Sequence, residues 1–228
     1  MINQPGSIER EVRTPRAAAI AGIAFALLLT TAILLTQWAM PRDRDPSEWF
    51  TQDSHRRAAG VAIALIPYAG IAFLWFIGVI RSRLGDLEDR FFATAFLGSG
   101  LLFVAMLFTS AAVTAALLDL YGGAEPVTTA DARLTNAIVS ALLGTFGIRM
   151  AAVFTLVVTN LGRRTGIVPG WLVLVGYATT LVLLFAPPRT VWATLLFPVW
   201  VFLLSVNMLV VSLRRDQRPH PGALAEPG

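Results

Sequence analysis

Arg149 lies deep inside the apolar run LTNAIVSALLGTFGIRMAAVFTLVVTN, residues 134–160. No other long apolar run in the chain holds an ionisable side chain so far from its ends. A guanidinium at the centre of a membrane helix costs roughly 2.5–3.5 kcal/mol on insertion scales, so such residues by default mark functional positions. The chemistry open to it is anion binding, to a lipid headgroup or a small carboxylate. Candidate neutral neighbours at matching depth are Tyr68, Ser205, Asn207 and the carbonyl of Ile63, which Pro67 frees from its helical partner. The competing expectation is structural: Arg149 reaches a cytoplasmic vestibule, pairs with Asp86, Glu88 and Asp89, and fixes the bundle.

Other groupings carry less chemistry. The loop 41–58 holds Asp43, Asp45, Glu48, Asp53 and His55, but their spacing fits no calcium loop and four arginines beside them would repel a cation. The turn RSRLGDLEDR forms a dense charge cluster of Arg81, Arg83, Asp86, Glu88, Asp89 and Arg90. Gly85, Asp89 and Arg90 match the opening G-x-x-x-D-R of the major-facilitator motif. Its x-G-R-R continuation is missing, because Phe91, Phe92, Ala93 and Thr94 follow. Plain helix-end electrostatics explain the turn: acids favour the positive start of the next helix, and Arg81 and Arg83 anchor the end of the previous one.

The catalogue of reactive motifs is short. The chain has no H-E-x-x-H, no G-x-S-x-G, no intramembrane aspartate pair and no glycine-rich phosphate loop. With no cysteine there is no disulfide, thiolate metal site or thiol redox chemistry. The two histidines, His55 and His220, fall on opposite sides of the membrane in the topology below. No enzyme activity, metal or cofactor is expected.

The elements that would position Arg149 are hydrophobic spans. Only 14% of the 228 residues are charged and 56% are hydrophobic, with a mean hydropathy of +0.67. A soluble domain would carry about 25% charge, so the deficit points into a bilayer. All 18 basic residues are arginine, and their spread over tails and loops suits membrane-surface contact, not nucleic-acid binding. The expected fold is all-α: a six-span transmembrane bundle over 17–213, between a polar tail at 1–16 and a disordered tail at 214–228. Spans are expected at about 17–40, 59–80, 92–118, 134–160, 171–186 and 191–213. The first is too long for a signal-peptide core, and Met40-Pro41 suits no signal cleavage. Kinks are expected at Pro67 and Pro198, and a stop at Pro187-Pro188.

Loop arginines set the orientation. Both tails and the turns at 81–90 and 161–169 hold eleven arginines, against six in the other three loops, so both termini are expected in the cytoplasm of a bacterial cell membrane. Thr129 is the expected N-cap of span four, with Asp131 near its positive end. Two stripes of small residues predict close helix packing. One, in span three, is Gly98, Ala105, Thr109, Ala112 and Ala116; the other, in span four, is Ala137, Ser140, Gly144, Gly147, Ala151 and Thr155. Arg149 lies opposite the second, among Ile138, Leu142, Phe146, Val153 and Leu156, which predicts neighbours on both sides and a central place for span four.

Arg149-Met150, Arg164-Thr165-Gly166, Pro169, Trp171-Leu172 and Gly176-Tyr177, with the stretch IAFLWFIGVIRSRLGDLEDRFFATAFLGSGLLF, resemble a group of actinobacterial multi-pass membrane proteins. The resemblance runs from span two to span five and implies an all-helical inner-membrane protein. It implies no activity. The expected function is that of a non-enzymatic membrane component with an anionic or lipidic ligand near Arg149, and the alternative is a small transporter or channel subunit. Expected partners are membrane lipids and a second copy docked through the small-residue faces.

Overall fold

The computed structural model describes residues 6–39, 53–84, 90–121, 128–166, 168–187 and 190–216. These residues are helical with no strand. We label the helices α1 (Gly6–Ala39), α2 (Asp53–Leu84), α3 (Arg90–Tyr121), α4 (129–165), α5 (Gly170–Phe185) and α6 (Val191–Asp216). Five contain stretches long and apolar enough to cross a membrane; α5 is apolar but has only 16 residues. Helices α2 and α6 run through Pro67 and Pro198 respectively.

Each helix packs on its neighbours in sequence, and α6 returns to α1, so the six close a ring. Short connections favour this order, because consecutive antiparallel helices bury their apolar sides against each other with the least chain. Phenylalanines fill the middle of the ring. Phe73 of α2 lies 4.4 Å from Phe25 of α1, 5.6 Å from Phe103 of α3, 5.0 Å from Phe154 of α4 and 5.7 Å from Phe197 of α6, ring centre to ring centre. Phe103 and Phe197 meet edge-on at 4.9 Å. Edge-to-face pairs of this kind add about 0.5–1.5 kcal/mol each beyond the area they bury.

Glycines bring the walls onto this plug. A Cβ on Gly100 of α3 would meet the tip of Ile77 of α2 and come within 3.3 Å of Phe154 of α4, so the glycine lets the three helices close up without moving either side chain. Gly22 of α1 does the same for Ser205 of α6 and Phe76 of α2.

Helix ends follow local chemistry. The N-cap of α4 is Thr128, one residue before the expected Thr129, because a capping box needs a partner three residues on and Asp131 supplies it. Asp131 Oδ2 accepts from the Thr128 hydroxyl at 2.7 Å and from its amide at 3.0 Å. These bonds, the hydroxyl's first, hold the exposed Asp131 carboxyl below its ordinary range. At its other end α4 closes on Gly166 at φ 67°, a left-handed residue that only glycine adopts cheaply. Helix α5 ends where Pro187 forces Ala186 into extended backbone, ψ 138°.

Candidate functional site

Arg149 belongs to an irregular part of α4. Residues Thr129–Ala141 form a regular first arm, Leu142–Gly147 a π-helical turn, and Ile148–Thr165 a regular second arm that Arg149 all but begins. In the π turn the Ile148 amide donates to the Leu143 carbonyl, five residues back. Two buried glycines make the widened turn affordable: a Cβ on Gly147 would sit 3.1 Å from the Leu142 carbonyl oxygen and 3.5 Å from Met106 Cβ of α3. Such turns slip the hydrogen-bond register and recur at functional sites.

The guanidinium lies along the turn it follows. Arg149 Nη1 donates to the Thr145 carbonyl at 2.7 Å, its one hydrogen bond among the described residues. It is half-buried, and on the same side of α4 Ile138, Phe146 and Leu156 are exposed. Behind it Gly144, Gly147, Ala151 and Thr155 are buried, so the small stripe of α4 packs inward from Gly144 on, while Ala137 is exposed and Ser140 half-buried. The expectation of neighbours on both sides therefore fails. In a ring each helix keeps one flank outside, and α4, packed on α3 and α5 with a lighter touch on α6, is no exception.

The residues expected around Arg149 are not gathered there. Tyr68 is 65% exposed on α2. Ser205 is fully buried, and its hydroxyl faces Gly22 of α1. Asn207, on α6, is half-buried. No hydrogen bond joins any of them to Arg149 among the described residues. In the charge cluster, Arg81 is exposed at the end of α2. Asp86, Glu88 and Asp89 lie outside the described residues, as do the side chains of Arg83 and Arg90.

The register of α3 against α4 sets the depth of Arg149. Gly147 faces Met106 and Phe154 faces Gly100, so Arg149 is level with the middle of α3. At 1.5 Å per residue that is roughly 20 Å along the axis from Arg90. An arginine side chain spans roughly a third of that distance. The carboxylates that precede Arg90 in sequence lie outside the described residues, and so does the pairing expected of them.

The other stripe behaves differently. On α3, Ala105, Thr109, Ala112 and Ala116 are exposed, and a Cβ on Gly98 would meet open space. The packed side of α3 is instead Phe96, Ser99, Phe103, Val104, Leu107 and Ser110. Among the described residues, the close packing expected from the spacing of this stripe does not occur.

A second polar feature has no counterpart in the sequence reading. Several hydroxyls inside these helices donate to the carbonyl four residues back, as Thr155 does to Ala151 at 2.8 Å and Thr180 to Gly176 at 2.9 Å. Thr159 Oγ1 of α4 does not; it faces Gly176 of α5, where the indole Nε1 of Trp200 of α6 also arrives, 3.0 Å from the place a Cβ would take. Both atoms are buried without a hydrogen-bond partner among the described residues. Nothing in the spacing of Thr159, Gly176 and Trp200 announces their meeting, because they come from three helices.

Elsewhere, His55 at the start of α2 lies 4.8 Å from Trp38 at the end of α1, the rings tilted, and Asp53 pairs with Arg56 within the first turn of α2. Arg164 lies over the Phe92 ring at 5.0 Å and ties the end of α4 to the start of α3.

The fold and site together define a class: an all-helical bundle with membrane-length helices, a closed aromatic centre and one guanidinium on its outer wall. Comparison with protein-family models, with curated proteins and with solved structures returns no match.

Proposed function

We propose that this chain is an integral membrane component of a bacterial cytoplasmic membrane, with six spans and both termini in the cytoplasm, that holds an anionic group against Arg149 and catalyses no reaction. The observation that carries the reading is the guanidinium itself: half-buried, midway along the longest apolar helix, with one carbonyl acceptor among the described residues for its five N–H donors. A cation at that depth without a counter-ion lowers stability, so its presence favours a binding role over a folding role. Short α5 is the sixth span in this reading; 16 residues are near the lower limit for crossing.

Kinship with the actinobacterial multi-pass group rests on Arg149-Met150 and the run from Arg164 to Tyr177, and adds no activity. The transporter or channel reading is second. Phenylalanines from five helices occupy the ring's centre, which favours a closed bundle over an axial conduit. Self-association through the exposed α3 stripe, with lipids covering the remaining wall, is the partner arrangement that fits this reading.

Titration of the detergent-solubilised protein with dodecyl phosphate, an anionic amphiphile whose head is free to reach the α4 wall in a micelle, tests the proposal. Wild type is expected to gain several degrees in Tm, and Arg149→Leu to gain none. Equal gains in both would overturn it.

A further inference from the structure

The anion at Arg149 has to come from somewhere, and the geometry narrows the sources. Resting on the binding role proposed for Arg149, we infer that its counter-charge is an aspartate or glutamate at the middle of a transmembrane helix of a different protein, docked on the outer wall of α4.

The chain's own carboxylates are the first source to fail. None of its 14 acidic residues lies inside any of the six apolar runs. A second copy therefore brings no acid to the depth of Arg149, whichever way it docks. Lipid phosphates fail on distance. Along α4 the polar rims are marked by Arg133, exposed in the first arm, and Arg163, exposed in the last turn. Arg149 is near the midpoint between them, roughly 20 Å from each at 1.5 Å per residue. A snorkelling arginine covers only roughly 6–7 Å of that path. Donation to the Thr145 carbonyl moreover lays the guanidinium back along the π turn, against the helix wall.

A carboxylate at mid-depth is what remains, and the wall suits a helix that carries one. Ile138, Phe146 and Leu156 give apolar contact above and below, while the guanidinium sits between them with donors to spare. In hydrocarbon a lone carboxylic acid stays neutral; beside a guanidinium its ionised form is favoured, and the pair removes the cost each would bear alone. Charge complementarity thus selects a helix with one buried acid over a plain apolar helix.

The test uses the whole protein in phosphatidylcholine vesicles. The chain contains no cysteine, so a single one introduced at the exposed Arg214 accepts a fluorescent label uniquely. The probes are synthetic poly-leucine transmembrane peptides with Glu, Gln or Leu at the central position, or Glu near one end, each carrying an acceptor dye. Energy transfer is expected to report association of the central-Glu peptide about tenfold or more tighter than the central-Gln or end-Glu peptides. Arg149→Leu should abolish that preference, and Arg133→Leu should keep it. Equal binding of central-Glu and central-Gln peptides to wild type overturns the inference, and that comparison needs no variant to fold. Persistence of the preference in Arg149→Leu overturns it as well. If dodecyl phosphate stabilises wild type through Arg149 but the central-Glu peptide earns no preference, the anion-binding role stands and the partner helix falls. If neither probe responds to Arg149, both fall.

Discussion

Helices α3 and α4 each carry a stripe of small residues at nearly the same spacing, and the fold treats them in opposite ways. On α4, Gly144, Gly147, Ala151 and Thr155 are buried, and Gly147 lets the helix approach Met106 of α3. On α3, Ala105, Thr109, Ala112 and Ala116 face outward. The same pair of helices therefore has an inside, lined by glycine and phenylalanine, and an outside that offers small residues and one guanidinium. Small side chains permit close approach, but they do not choose the partner. On α4 the choice is made by Phe154, which must reach the aromatic centre and turns Ala151 and Thr155 inward with it. On α3, Phe96 and Phe103 take the inward positions and leave the small stripe outside.

Substitutions should separate the two sides cleanly. The largest effect is expected at the centre: Phe73→Ala leaves a cavity among five rings and should cost about 3–5 kcal/mol in reversible unfolding from mixed micelles. A loss below that of an outer-wall substitution would mean the plug is loosely packed. Next is Ala151→Leu, where a larger side chain enters the buried α4 stripe; overpacking should cost about 1–3 kcal/mol. Ala112→Leu, the same change on the exposed stripe, should stay within about 0.5 kcal/mol for the isolated protein. Should the two leucine variants unfold alike, the assignment of inside and outside is wrong. Arg149→Leu should leave Tm unchanged or raise it, since the isolated protein loses an uncompensated cation and one hydrogen bond; a marked fall in Tm would return Arg149 to a folding role.

The smallest expected effect lies outside the apolar run, at the cap of α4. The folded-state pKa of Asp131 is lowered from its ordinary 3.8, so the capping box stabilises the protein above that value. Its contribution is lost as pH falls below 3.8 through the lowered value. Asp131→Asn should remove this component of acid sensitivity, visible as a flatter Tm-against-pH curve below pH 4; an unchanged curve would mean the box contributes nothing to α4.

Much of the architecture was legible in the residue order because hydrocarbon-length apolar runs and their breakers are local signals. Helices α2, α3 and α5 contain the runs 59–80, 92–118 and 171–185. Misreading Thr129 for Thr128 was a local error too, corrected by the reciprocal bonds to Asp131. The site was legible only as a single residue. Arg149 stands out in any hydropathy reading, whereas its surroundings do not: Tyr68 is exposed on α2 and the Ser205 hydroxyl faces Gly22 of α1. Depth along a helix is one-dimensional and readable from sequence; the rotation of one helix against another is not.

What the order of residues decides alone is therefore the set of rods, their caps, and the placing of one cation inside an apolar run that holds no acid, because these depend on neighbours within a few positions. Only the tertiary structure decides which side of each rod meets the centre, because that depends on how large rings from five helices fill one shared volume. The π turn at Leu142–Gly147 belongs with the second group. Its glycines are visible in the sequence, but the slipped register exists where α4 packs against α3. There the interior takes the small stripe and leaves Arg149 on the outer wall.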